Sequence, residues 1–116
     1  MKRALVFSGG GMFGAWQAGV WSGLTAGAPE LVVGASVGSL NGYAIAGGAT
    51  GEELCEFWRD ARVGRFRALP QTIRALMERY PARMDYALTM TDLGSMKPKI
   101  VRGGDVTWRH LAASCA

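Results

Sequence analysis

The sequence has a single histidine, only two cysteines and no apolar run of the roughly 18 residues that a membrane-spanning helix needs. One histidine excludes a metal site built from several histidines and leaves His110 as the only histidine available to a catalytic triad. Cys55 and Cys115 are too few for a disulfide framework and favour a reducing compartment. We therefore expect a cytoplasmic protein whose contact with membranes, if it has any, is peripheral.

Charged residues are also scarce, at 19% of the 116 residues, whereas hydrophobic residues make up 49%. This balance excludes a disordered chain, and the length fits one domain. The net charge is +4, and the segment 51–83 is rich in arginine: Arg59, Arg62, Arg65, Arg67, Arg74, Arg79 and Arg83. A solvated helical surface is the favoured interpretation, and a face for anionic lipid or phosphate is the alternative. The aromatic residues there form no stacking platform, so no nucleic-acid partner is expected.

Hydrophobic periodicity predicts alternating strands and helices, which is the α/β pattern. In the first helix, Trp16, Val20 and Leu24 recur every four residues and predict a core-filling stripe. Thr50 and Glu53 form a capping box, and Asp105 is a predicted N-cap. The predicted order is strand 3–8, helix 13–26, strand 31–33, helix 37–46, helix 51–61, helix 71–80, strand 85–92, strand 100–101 and a last helix from 106.

A glycine-rich loop, Gly9-Gly10-Gly11-Met12-Phe13-Gly14, follows the first predicted strand and opens the first helix. Glycines let another atom approach the backbone closely, and the amides of a helix N-terminus attract negative charge. The loop is therefore a candidate cradle for a phosphate or an oxyanion. It also matches the G-x-G-x-x-G pattern of dinucleotide-binding proteins.

The second motif, Gly34-Ala35-Ser36-Val37-Gly38, is a G-x-S-x-G between a predicted strand and a predicted helix. This is the pattern of a nucleophile elbow, in which a sharp turn presents the serine hydroxyl at a helix N-terminus. Dinucleotide binding needs an acid at the carboxyl end of the second strand, but Glu30 precedes that strand. The paired motifs therefore favour serine chemistry.

The short spacing of these two motifs resembles the patatin-like phospholipase family. Three further segments carry the resemblance: Leu40-Asn41-Gly42, Thr91-Asp92-Leu93 and Ala113-Ser114-Cys115-Ala116. It implies a three-layer α/β sandwich with a central, mostly parallel sheet that is incomplete at the C-terminus. Residues 1–116 would be the N-terminal portion of a single hydrolase domain.

The resemblance also implies an activity: a serine lipid acyl hydrolase that uses a Ser–Asp dyad and needs no cofactor or metal. Ser36 would be the nucleophile, and its substrate would be a lipid ester. The implied oxyanion-hole segment consists of Gly9, Gly10, Gly11, Met12 and Gly14, with the amides of Gly10, Gly11 and Met12 as donors. The implied elbow residues are Gly34, Ala35, Val37 and Gly38.

The sequence departs from the family pattern at two points. None of its four aspartates, Asp60, Asp85, Asp92 and Asp105, is followed by glycine, whereas the family's base lies in an Asp-Gly-Gly or Asp-Gly-Ala motif. We therefore expect the base to lie beyond Ala116 and the 116-residue chain to show little or no turnover. Phe13 also occupies a loop position where the family often has arginine or lysine.

Three alternatives remain open. One is a serine acyltransferase related to malonyl transferases, which would need a histidine base and an arginine for the substrate carboxylate. Another is a non-catalytic nucleotide-binding module built on the Gly9–Gly14 loop. A third is that the chain is a partial domain that exposes apolar surface, which is compatible with the hydrolase interpretation.

Overall fold

The computed structural model describes residues 2–24 and 27–115. Its strands form one four-stranded sheet in the order β1-β2-β3-β4. The strands are β1 (Ala4–Phe7), β2 (Leu31–Ala35), β3 (Asp85–Asp92) and β4 (Lys97–Arg102). Strands β1, β2 and β3 run parallel, and β4 returns antiparallel to β3. This confirms the predicted α/β class with a mostly parallel sheet.

Five α-helices and three short 3-10 turns connect these strands in the described ranges. The helices are α1 (Gly14–Gly23), α2 (Val37–Ala46), α3 (Gly51–Arg59), α4 (Leu69–Arg79) and α5 (Trp108–Cys115); the turns are Gly11–Phe13, Phe66–Ala68 and Gly103–Asp105. Every residue of α2 is buried. Its small residues allow this, because Gly42 packs directly over Val32 and Tyr86 of the sheet. The predicted capping box is confirmed, since Glu53 N donates to Thr50 Oγ1 at 3.1 Å.

The two helices in closest contact with the sheet, α2 and α5, pack on one of its faces. That face presents Val32, Tyr86 and Leu88, which are buried. The other face presents Val6 and Ile100, which are exposed in the part of the chain that the structure describes. The described residues thus supply the sheet and one helical layer of the expected sandwich.

The buried face of α1 differs from the prediction. Trp16, Val20 and Leu24 are exposed, whereas Gly14 and Ala18 are buried. The predicted apolar stripe is therefore wrong as a core face. The physical reason is close helix packing: α1 approaches α3 so tightly that a side-chain carbon on Gly51 would lie 2.3 Å from Ser22 Cα. Small residues permit that approach, and it turns the large apolar side chains outward.

Several element boundaries also need correction. Strand β4 spans Lys97–Arg102 rather than 100–101, because Pro98 is tolerated on an edge strand. Asp105 is not the N-cap of the last helix; it closes the 3-10 turn, and α5 begins at Trp108. The predicted helix 13–26 ends at Gly23, and its last two positions lie outside the described residues. In residues 2–24 and 27–115, no helix has the length and hydrophobicity that crossing a bilayer requires.

Candidate active site

Ser36 lies where β2 ends and α2 begins, at the carboxyl edge of the sheet. Its backbone has φ 55° and ψ −128°. A positive φ is uncommon for a residue with a side chain and marks local strain, which often accompanies a functional site. The sequence pattern places a sharp turn at this serine, and the structure has one there.

The two glycines of the elbow are needed because backbone passes where their side chains would be. A Cβ on Gly34 would lie 2.2 Å from the Gly38 carbonyl oxygen. A Cβ on Gly38 would lie 2.5 Å from the Phe7 carbonyl oxygen. Neither position can hold a side chain unless the backbone moves. The motif is therefore a packing requirement that joins β2, the turn and α2 to the end of β1.

The backbone of Ser36 is held on both sides by hydrogen bonds. Its N–H donates to Ser114 Oγ at 2.9 Å, and the Ser114 hydroxyl donates in turn to the Thr89 carbonyl at 2.8 Å. Its carbonyl accepts from the Ser39 amide at 2.8 Å. Within the described ranges, the Ser36 hydroxyl itself makes no hydrogen bond. The described contacts thus fix the serine through its main chain and include none to its side-chain oxygen.

Ser114 is a residue of the site that the sequence motifs did not reveal, since it stands in no elbow motif. The available signal was its position in the Ala113–Ala116 segment, one of those that carried the family resemblance. That segment supplies a hydroxyl to the elbow from α5.

The glycine-rich loop lies directly beside Ser36. A Cβ on Gly9 would lie 3.2 Å from Ser36 Cβ and 3.9 Å from Ser36 Oγ. The loop then forms a 3-10 turn, with Gly11 at φ 54° and the Phe13 amide donating to the Gly10 carbonyl at 3.0 Å. The first amides of a helical turn have no acceptor within it. The loop therefore brings a helix N-terminus next to the serine.

A buried polar network fixes both ends of this loop. Asn41 of α2 donates through Nδ2 to the Gly14 carbonyl and to Gln17 Oε1, each at 2.9 Å. Asn41 Oδ1 accepts from Trp58 Nε1 at 2.7 Å, and Gln17 Nε2 donates to the Ser8 carbonyl at 2.6 Å. Asn41 thus connects the glycine loop to α2, the helix that follows Ser36. Its sequence signal was the Leu40-Asn41-Gly42 segment after the elbow.

Ser36 opens into a cavity of about 810 Å³. The lining comes from the end of β2, the β3–β4 hairpin and α5: Ala35, Ser36, Thr89, Met90, Thr91, Asp92, Leu93, Gly94, Pro98, Lys99, Ala113 and Ser114. Most of these side chains are apolar or uncharged, which suits a substrate with an apolar portion.

A sequence model of patatin-like phospholipases matches residues 5–102. The chain belongs to the patatin-like phospholipase family. Its members are lipid acyl hydrolases. The matched range contains the glycine loop, the elbow and the hairpin that lines the cavity. No curated protein matches the chain closely enough to count as a relative.

Each of the four aspartates of this patatin-like chain, as a candidate for the base of Ser36, has a different contact or position. Asp60 pairs with Arg62, whose hydrogen bonds hold the pKa of the Asp60 carboxyl at about 2. Asp92 lines the cavity, but its Oδ1 accepts from the Gly94 amide at 2.8 Å and shapes the hairpin turn. Asp85 begins β3, at the opposite end of that strand from the cavity. The fourth, Asp105, closes its 3-10 turn.

His110 caps the start of α5. Its Nδ1 accepts from the Thr107 amide at 3.0 Å, so the ring nitrogen caps a helix end. Glu30, the acid considered for dinucleotide binding, lies directly before β2 at the amino end of that strand. In the described part of the chain, no cluster of three or more His, Cys, Asp or Glu residues could hold a metal ion.

Four arginines of the arginine-rich segment contact other side chains of the chain. Ion pairs join Arg59 to Glu56, Arg62 to Asp60 and Arg79 to Glu53. The Arg74 guanidinium stacks 4.2 Å from the centre of the Trp108 ring. These contacts favour the solvated-surface interpretation of the segment.

Proposed function

We propose that this chain carries the nucleophile of a serine lipid acyl hydrolase and that Ser36 is that nucleophile. The observation that carries the proposal is the strained backbone of Ser36, next to a glycine-rich helix N-terminus, in a chain of the patatin-like family. A serine hydroxyl on such a turn is exposed to a substrate carbonyl, and the helix N-terminus favours developing negative charge.

In the proposed reaction, Ser36 Oγ attacks the ester carbonyl and forms a tetrahedral intermediate. The amides of Gly10, Gly11 and Met12 hold the oxyanion, and loss of one such donor costs about 3 kcal/mol of transition-state stabilisation. Gly9 and Gly14 complete the oxyanion segment. The base takes the Ser36 hydroxyl proton during the attack and passes it to the alcohol, which leaves as the intermediate collapses to an acyl-serine. Water then hydrolyses the acyl-serine to the fatty acid and free serine.

The base in this proposal is the aspartate of a Ser–Asp dyad that lies outside residues 1–116. Two observations support this. No aspartate of the sequence is followed by glycine, and the Ser36 hydroxyl has no hydrogen-bond partner among the described residues. A serine without a base is a weak nucleophile at neutral pH. We therefore propose that the 116-residue chain, as one portion of a single hydrolase domain, has little or no turnover alone.

The proposed setting follows from the same residues. The substrate is a lipid ester, no cofactor takes part, and the protein is cytoplasmic with peripheral contact to membranes. The free thiols of Cys55 and Cys115 support a reducing compartment. An acyltransferase related to malonyl transferases is less well supported, because the Nδ1 atom of His110 accepts from the Thr107 amide and caps the start of α5.

The test is covalent labelling of the purified chain by a fluorophosphonate that carries an alkyl chain. We expect slow labelling at Ser36, identified by peptide mass spectrometry, and none in Ser36→Ala. Ser22→Ala is the matched control, because Ser22 is an exposed serine on α1 whose hydroxyl donates to the Gly19 carbonyl of the same helix. Equal labelling of wild type and Ser36→Ala would overturn the proposal.

A second measurement addresses turnover and the nucleotide-binding alternative. The chain should hydrolyse a soluble ester no faster than the Ser36→Ala variant does. Clear Ser36-dependent turnover would refute the proposal that the base lies outside residues 1–116. Binding of a dinucleotide without labelling of Ser36 would instead support a module built on the Gly9–Gly14 loop.

A further inference from the structure

Exposed apolar side chains lie on both sides of Ser36 at the carboxyl edge of the sheet, and cations accompany them. We propose that this cavity rim, defined as Phe13, Trp16, Leu93, Met96, Lys97 and Lys99, binds the surface of an anionic phospholipid bilayer. The inference rests on the proposed function for its purpose, namely delivery of a lipid ester to Ser36. Its binding test does not depend on catalysis.

The hairpin between β3 and β4 projects beyond the level of the serine. β2 leaves the sheet after Ala35, which pairs with Thr89, whereas β3 continues to Asp92. Three further residues at about 3.3 Å each carry β3 about 10 Å past the level of Ala35. Its inner residues line the Ser36 cavity. The hairpin tip is therefore the part of this cavity wall that reaches an approaching surface first.

Large apolar side chains are exposed at the tip and on the opposite flank of the serine. Leu93 and Met96 of the hairpin are 80% and 73% exposed. Phe13, in the glycine loop, and Trp16, in the first turn of α1, are 75% and 70% exposed. Insertion of such side chains at the acyl boundary removes their apolar area from water. It would also let an acyl chain enter the cavity without crossing water.

The positive charge of the hairpin favours an anionic membrane surface. Lys97 and Lys99 are exposed on β4, and Lys99 also lines the cavity. The one carboxylate between residues 91 and 102 is Asp92, which is bonded to the Gly94 amide. A lysine near an anionic membrane surface contributes about 1 kcal/mol, which is about a fivefold change in binding. The arginine-rich segment is a poorer candidate, since several of its guanidinium groups are paired within the protein.

The experiment is co-sedimentation of the 116-residue chain with vesicles of two compositions: phosphatidylcholine alone, and equal parts phosphatidylcholine and phosphatidylserine. We expect binding to the mixed vesicles and weak binding to phosphatidylcholine. The double variant Lys97→Gln/Lys99→Gln should bind mixed vesicles roughly 25-fold less tightly, at about fivefold per lysine. Leu93→Ser/Met96→Asn should weaken binding to both compositions; asparagine suits the positive φ of Met96.

Two control variants match these changes elsewhere on the surface. Leu24→Ser alters an exposed apolar residue at the far end of α1, and Arg65→Gln/Arg67→Gln removes two charges from the arginine-rich segment. Both should bind as the wild type does. Ser36→Ala should also bind normally, so that a failure of the serine assignment and a failure of the bilayer assignment can be told apart.

Three results would overturn the proposal. The first is no binding of the wild type to mixed vesicles. The second is a larger loss in Arg65→Gln/Arg67→Gln than in the lysine variant. The third is a wild-type dimer, measured by light scattering, that Leu93→Ser/Met96→Asn converts to a monomer with vesicle binding unchanged. That result would make the rim an interface between copies of the chain.

Discussion

The Ser36 amide and the Ser114 hydroxyl are 2.9 Å apart, although the two residues are 78 positions apart in the sequence. The same hydroxyl donates to the Thr89 carbonyl. Ser114 therefore bridges the elbow and β3 at the point where β2 leaves the sheet. Ser36 combines a strained backbone with a hydroxyl that has no hydrogen-bond partner among the described residues, and α5 supplies one of the contacts that hold its main chain.

Ser114→Ala should lower the free energy of unfolding by about 1–3 kcal/mol, because it leaves the Ser36 amide without its acceptor and the Thr89 carbonyl without its donor. Ser114→Thr, which retains a hydroxyl, should lose less. Urea unfolding followed by tryptophan fluorescence measures both. The exposed-site control Ser22→Ala should change stability by less than about 0.5 kcal/mol. Equal stabilities of Ser114→Ala and the wild type would show that the bridge contributes nothing.

Gly34→Ala should destabilise the protein by about 3 kcal/mol or more, since the new Cβ would collide with backbone in the first turn of α2. Gly19→Ala is the matched control within α1, where a new Cβ meets nothing within 4 Å. It should stabilise by about 0.4–1 kcal/mol. Thermal unfolding monitored by circular dichroism distinguishes the two. A tolerated Gly34→Ala would mean that the elbow packs differently.

Asn41→Leu should cost roughly 3 kcal/mol, because the Trp58 indole N–H and the Gly14 carbonyl lose their buried partner, at about 1–3 kcal/mol for each unsatisfied group. It should also slow fluorophosphonate labelling of Ser36, since Asn41 fixes the end of the glycine loop. Gln71→Leu removes a side-chain amide from the exposed surface of α4 and should affect neither quantity. Unchanged labelling in a folded Asn41→Leu variant would contradict the positioning of the loop by Asn41.

The environment of the Tyr80 hydroxyl should lower the free energy of unfolding at alkaline pH. Burial, together with the hydrogen bond that its hydroxyl donates to Glu53 at 2.7 Å, raises the Tyr80 pKa to about 12. Because the folded value lies above the unfolded value of about 10, the contribution is complete below pH 10 and is lost as the pH rises towards 12. In urea titrations, the stability difference between wild type and Tyr80→Phe should shrink across this window. A constant difference would contradict the assignment.

The elements that the sequence predicted best are those with local signals. Helix α2 runs from Val37 to Ala46 as predicted, since the elbow starts it and Gly47 and Gly48 follow its end. Strand β3 occupies 85–92 as predicted from its alternation. The elbow turn was also predictable, because its glycines are required by close backbone contacts within a few residues and with the neighbouring strand.

The features that the sequence could not predict depend on contacts between residues that are far apart in the sequence. The buried face of α1 is set by the approach of α3, so the stripe of Trp16, Val20 and Leu24 pointed to the wrong side. The partners of Ser114 and the Asn41–Trp58 contact join separate helices and strands. Hydrophobic periodicity describes one element at a time and contains no information about which neighbour makes these contacts.

The two edges of the described sheet differ in their capacity to accept another strand. β4 carries Pro98 between Lys97 and Lys99, and both features discourage pairing. β1, with the sequence Ala-Leu-Val-Phe, has neither a proline nor a charge. An extended segment that joins this sheet should therefore add at β1. Since β1 runs into the glycine loop, such an added strand would end beside the loop whose Gly9 adjoins Ser36.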